Sequence, residues 1–175
     1  MKILSIAVPC YNSQDYMEHC VETLLTGGEK VEIIIVDDGS KDGTAEIADR
    51  LAEKYPTIIK AVHQENGGHG EAVNTGIKNA TGVFFKVVDS DDWLGEEALA
   101  TLLEKLEMFS NSGEDAVNVP DLVLCNYIYD KVGVKNKKVI NYKGYLPLNR
   151  TFTWKDVKKM PPGKYMTMHA CVYRT

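Results

Sequence analysis

Between residues 3 and 110 the chain alternates short apolar runs with amphipathic stretches, and this alternation constrains the fold more than any other feature. Ile3 to Val8, Ile58 to Val62 and Val83 to Val88 read as strands, and Val31 to Val36 (VEIIIV) is almost wholly apolar and β-branched. A strand of that composition has no face for water and belongs in a sheet covered on both sides. Helical spacing fills the gaps. One stripe starts at Ser13, carries Tyr16, Cys20, Val21, Leu24 and Leu25, and ends at Gly27-Gly28. Thr44 is placed to cap a second helix with Ala45, Ile47, Ala48, Leu51 and Ala52 inward, closed by Tyr55-Pro56. Gly67 to Ala80 and Gly95 to Met108 supply two more. Strands regularly followed by helices predict an α/β fold with a mostly parallel central sheet and helices on both faces.

After Asn111 the pattern changes. NSGEDAVNVP reads as a polar loop and Leu122 to Tyr129 as one strand; Asp130 to Tyr142 reads as an exposed hairpin forming a small flanking sheet. Thr153 opens a short helical turn, Pro161 to Gly163 make a turn, and Met166 to Tyr173 is a last strand. Lys135, Lys137 and Lys138 fit a solvated edge that discourages strand pairing.

A formal net charge of −5 argues against nucleic acid as a general partner, since such binders carry an excess of Lys and Arg. No stretch approaches the roughly 20 apolar residues that span a bilayer. The N-terminus lacks the apolar core and cleavage site of a signal peptide. The expected location is the cytoplasm, with peripheral contact to the inner membrane face as the alternative. Cys10, Cys20, Cys125 and Cys171 form no metal-binding spacing and read as reduced structural thiols.

In an open parallel sheet, ligands bind beyond the carboxyl ends of the strands. Three of those ends are unusually polar: Pro9-Cys10-Tyr11-Asn12, Asp37-Asp38-Gly39-Ser40 and Asp89-Ser90-Asp91-Asp92. Several carboxylates in one crevice repel one another. A divalent cation removes that conflict, and Mg²⁺ or Mn²⁺ is commonly held by one or two carboxylates together with substrate phosphates. The cluster therefore points to a metal and a nucleoside diphosphate together. The bland alternative is that these residues only make turns and helix caps, Asp92 in particular capping the helix that starts near Gly95. Asn66-Gly67-Gly68 suits either a plain turn or close backbone approach to a ligand. His69 reads as a solvated loop histidine.

VPCYN, IIIVDDGSKDGT, NGGHGEAVNTGIKNATG and VVDSDDWL, in that order, resemble the landmarks of glycosyltransferase family 2, the inverting family with the GT-A fold. The resemblance implies a Rossmann-like GT-A three-layer sandwich with a small flanking β-hairpin. It implies that Pro9, Tyr11 and Asn12 border the nucleoside and that Asp38, beside Asp37, accepts a hydrogen bond from the base. Gly67 and Ser90 join the nucleotide-binding set. Asp89-Ser90-Asp91 matches the D-x-D motif, in which Asp91 binds the metal and Asp89 faces the ribose or the metal's water. The implied partners are a nucleoside-diphosphate sugar, by preference a UDP-sugar, and a glycan or lipid-linked acceptor. The setting the resemblance implies is cell-envelope or capsular polysaccharide synthesis.

Two features depart from the family. Val73 stands where an arginine is common. The acidic base expected after the last strand has no counterpart here, so it is expected beyond Thr175, and residues 1–175 are expected to be one truncated domain. In that division residues 1–110 form the nucleotide-binding half, and residues 111–175 begin the acceptor-side half. Glu114-Asp115 comes too early in the chain to be that base and reads as surface. The alternatives are a non-catalytic nucleotide-sugar-binding fragment and a sugar nucleotidyltransferase. The second would want a Gly-rich first loop with a basic residue, and a dehydrogenase would want GxGxxG there; VPCYNSQ offers neither.

Overall fold

The four apolar runs become the parallel strands β1 (Leu4–Cys10), β2 (Val31–Asp37), β3 (Ile59–His63) and β4 (Phe84–Val87). The helices between and after them are α1 (Met17–Leu25), α2 (Thr44–Lys54), α3 (His69–Asn79) and α4 (Glu96–Ser110). The computed structural model describes residues 1–111, 119–130, 133, 135–163 and 165–175. The Glu114-Asp115 pair lies outside the described residues, as do most of its loop and part of the expected hairpin.

Two compact units divide the chain: Met1–Asp121 with Tyr173–Thr175, and Leu122–Val172. In the first, β1 is central, in register with β2 from Leu4↔Val31 to Cys10↔Asp37 and with β4 from Leu4↔Phe84 to Ala7↔Val87. Side chains alternate across this sheet. Ile34 and Val36 face α3, meeting Ala72. A Cβ on Gly76 would lie 2.5 Å from the Ala7 Cβ, so α3 reaches β1 only because position 76 has no side chain. Ile33 and Ile35 face the other way, the side on which Val31 and Leu103 of α4 both crowd Gly27. Three layers result. Ile33, Ile34, Ile35 and Val36 have no exposed surface, and each contributes roughly 1.5–3 kcal/mol by leaving water. Within this unit the sheet runs β3-β2-β1-β4 and is mostly parallel, and Tyr173 and Arg174 pair antiparallel with Phe85 and Phe84 of β4.

In the second unit, β5 (Leu122–Leu124) and β6 (Tyr127–Tyr129) replace the single strand expected over Leu122 to Tyr129. A mostly apolar run, interrupted only by Asn126, hides the break at Cys125-Asn126, after which β6 joins a different sheet. Its antiparallel partner is β7 (Lys138–Ile140), so the small hairpin sheet exists but draws its first strand from before Asp130. The last strand is shorter than expected: β8 covers Cys171–Arg174, because Met168–Ala170 make a 3₁₀ turn on the Thr167 carbonyl. Tyr142, Leu146 and Ala170 form this unit's core, with Leu124, Tyr127, Phe152, Val157, Met160 and Met166 around it. A capping box of Thr153 and Asp156 starts the expected short turn. Among the described residues, no helix is long and apolar enough to cross a membrane.

Candidate donor-binding site

The chain leaves β1 toward β2 on one side and returns to β4 on the other, which opens a crevice at the strands' carboxyl ends. There the first unit has a cleft of about 460 Å³. Its walls are Pro9, Cys10, Tyr11, Ser13 and Tyr16 after β1, Asp38 after β2, Asn66, Gly68, His69 and Ala72 around the start of α3, and Asp89, Ser90 and Asp91 after β4.

Asp38 is 3% exposed and accepts three hydrogen bonds, from Gln64 Nε2 at 2.7 Å and from the Gly67 and Gly68 amides at 2.8 Å each. Burial pushes its carboxyl up, and these donors more than offset that, so it stays below the usual carboxylate range. Asp38 thereby ties the end of β2 to the start of α3. Gly39 makes the turn possible: its φ is +70°, and a Cβ there would lie 2.8 Å from the Asn66 nitrogen.

Three of the expected residues, Asp37, Asn12 and Gly67, do not line the cleft. Asp37 is buried, accepting the Ser40 amide at 3.1 Å and facing His63 Nδ1 at 3.1 Å. Asn12, at φ 50°, accepts the Lys41 amide on its side chain and donates its own amide to Ser40 Oγ. Gly67 contributes its amide to Asp38. The others, Pro9, Tyr11, Asp38, Asp89, Ser90 and Asp91, converge on the cleft.

The loop carrying Asp89, Ser90 and Asp91 is strapped along α1. Ser90 Oγ pairs with Ser13 Oγ at 2.9 Å, the Asp89 carbonyl accepts the Cys20 thiol, Trp93 packs on His19 with ring centroids 5.6 Å apart, and the Leu94 amide donates to Thr23. Burial, aided by the Asp37 charge, pushes the Cys10 thiol up to about 12, an unreactive value. Asp91 is exposed on the cleft wall. Asp92 is no helix cap: its amide closes a turn on the Asp89 carbonyl, and Gly95 takes the cap position with no side-chain bond. Thr44 is likewise not a cap but the first helical residue; its hydroxyl donates to Asp42 and accepts the Ser13 amide.

Sequence reasoning missed Ser13, Gln64 and His69. His69 is no loop residue: it is the first residue of α3, and its Nε2 lies 2.8 Å from Asp89 Oδ1. Only the polar run HQENGGH directly after the third strand could have signalled Gln64 and His69.

The family model for glycosyl transferase family 2 matches residues 5–152. The chain belongs to glycosyltransferase family 2. A curated family relative, the putative glycosyltransferase EpsH of Bacillus subtilis, is 38% identical over 71% of this chain. The chain spans only 33% of that relative. The solved structure of S. aureus TarS 1-349 covers 99% of this family 2 chain at 27% identity with a TM-score of 0.65, the chain spanning 47% of it, and that protein has also been solved with UDP-GlcNAc. The mannosyltransferase PcManGT of Pyrobaculum calidifontis, solved with GDP-Man and Mn²⁺, is 26% identical over 70% of this chain and 34% of its own, with a TM-score of 0.56. The fold is therefore the GT-A fold expected of the family.

Proposed function

We propose that this family 2 chain binds a nucleoside-diphosphate sugar, by preference a UDP-sugar, with a divalent cation, as the donor side of a transfer to an acceptor hydroxyl with inversion. The observation that carries the reading is the convergence of Asp38, Asp89 and Asp91 on one cleft with Tyr11 and the start of α3. Complexes of TarS with UDP-GlcNAc and of PcManGT with GDP-Man and Mn²⁺ support it.

In this reading Pro9, Tyr11 and Asp38 hold the nucleoside. A carboxylate offers about four acceptor positions, so Asp38 can take a base N–H beyond its three internal donors. Asp37, Asn12 and Gly67 shape the loops that present these groups. Asp89 and Asp91 would hold the cation: Asp91 is exposed toward the cleft, and an all-carboxylate pair suits Mg²⁺ or Mn²⁺. Bound there, the metal would neutralise the charge of a leaving diphosphate. Inversion requires the acceptor oxygen to attack the anomeric carbon from the face opposite that diphosphate while a carboxylate base takes its proton. We further propose a role in building a cell-envelope or capsular polysaccharide, which the similarity to the minor teichoic acid biosynthesis protein GgaA of Bacillus subtilis, 33% identical over 58% of this chain and 24% of its own length, supports.

The test is a panel of UDP-, GDP- and ADP-sugars titrated in Mn²⁺ and read by ligand-observed NMR, on the wild type and on Asp91→Asn. UDP-sugars should bind best. Asp91→Asn should fold normally and lose at least the roughly 10- to 100-fold that even outer-shell partners of a metal command. Equal binding by the variant, or no binding of any donor, overturns the proposal.

A further inference from the structure

His69 and Asp89 meet across the cleft wall, from the first residue of α3 and the loop after β4. A carboxylate only accepts, so at 2.8 Å Nε2 must carry the proton and donate it to Oδ1. The side chains are 54% and 27% exposed, and pairs that open to water contribute little to stability. Yet the backbone that carries the ring is tied down. Gly68, at φ +84°, turns the chain into α3, and the Gly67 and Gly68 amides are both anchored on Asp38. Farther along, Gly76 seats the helix against Ala7. His69 thus joins the two acidic walls of the cleft, through its own helix start to Asp38 and through its ring to Asp89.

We propose that His69 is a positioning residue: its Nε2–H fixes the Asp89 carboxylate in the orientation that receives a divalent cation and its nucleoside diphosphate. This rests on the donor-site reading given above. The general chemistry is familiar from metal sites, where a ligating carboxylate held by an outer partner loses affinity once that partner is removed.

The test measures Mn²⁺ affinity in the presence of saturating UDP, by water-proton relaxation, for the wild type, His69→Ala, His69→Gln and Asp91→Asn. His69→Ala should weaken Mn²⁺ by about 10- to 100-fold, and His69→Gln, whose amide can donate to the same oxygen, should recover most of that. UDP binding in chelator should be similar in all the His69 forms. In the wild type, ¹⁵N NMR should find the Nε2–H tautomer of His69 before any metal is added. Mn²⁺ affinity of His69→Ala within about twofold of wild type overturns the proposal, as does a His69→Gln variant as weak as His69→Ala, which would make the ring itself a ligand. If the wild type binds Mn²⁺ with UDP and Asp91→Asn does not, a normal His69→Ala sinks only the role of His69. If the wild type binds neither, the donor-site reading falls too.

Discussion

Replacing Asp38 tests how far one carboxylate organises the cleft. Asp38→Ala strands three donors: the Gln64 amide and the Gly67 and Gly68 N–H groups. Hydrogen bonds to a charged group contribute about 1.5–3 kcal/mol each when buried. Gly67 and Gly68 are exposed, so water can replace the lost acceptor there. Counting about 1 kcal/mol for each of those two and somewhat more for Gln64 gives a loss of about 3–4 kcal/mol. That is a large share of the roughly 5–15 kcal/mol holding a typical domain folded. Asp38→Asn keeps the shape and one acceptor oxygen but turns an NH₂ toward a backbone N–H, so it should cost about 1–3 kcal/mol. Urea unfolding followed by circular dichroism reads both values, with an unchanged m confirming a stability effect. The sign with pH follows from the lowered carboxyl of Asp38. Its contribution is present above the unfolded value of about 3.9 and is lost as pH falls through the lower folded value. Asp38→Asn should flatten that acid limb. A cost for Asp38→Ala below about 0.5 kcal/mol would refute the claim that this carboxylate ties β2 to α3.

Other consequences follow from neighbouring residues. Gly39→Ala places a Cβ at φ +70° and 2.8 Å from the Asn66 nitrogen; it should cost about 2–4 kcal/mol, read as a fall in Tm. His63, at the end of β3, lies between Asp49 of α2 and Asp37 of β2 and is raised chiefly by its hydrogen bond to Asp49, then by that to Asp37. Its stabilising contribution is full below the unfolded value of about 6.5 and disappears as pH rises through the higher folded value; His63→Gln should remove that slope from urea midpoints measured across the window.

The sheet was legible because a strand buried on both faces must be almost wholly apolar, and VEIIIV, with Glu32 its one polar residue, has that composition. Acidic groups directly after β2 and β4 were legible for the same topological reason. The division of labour within Asp37-Asp38 came from the family resemblance alone, since adjacent residues at a strand end point to opposite sides and nothing in the pair itself says which side is the cleft. His69 was hidden because its partner, Asp89, is twenty residues away and meets it only after α3 is seated on Ala7. Ser13 was hidden likewise, its partners Thr44 at the start of α2 and Ser90 after β4 lying far away in the sequence. The break at Cys125-Asn126 escaped notice because periodicity cannot see a strand change sheets within one mostly apolar run.

The central claim is a donor site that needs a cation, and calorimetry of UDP binding to the wild-type chain, once with Mn²⁺ and once with chelator, tests it most directly. The account predicts clear binding with Mn²⁺ and much weaker binding in chelator, because Asp89, Asp91 and a diphosphate would otherwise face one another as bare negative charges. Equal affinity in the two conditions would contradict it.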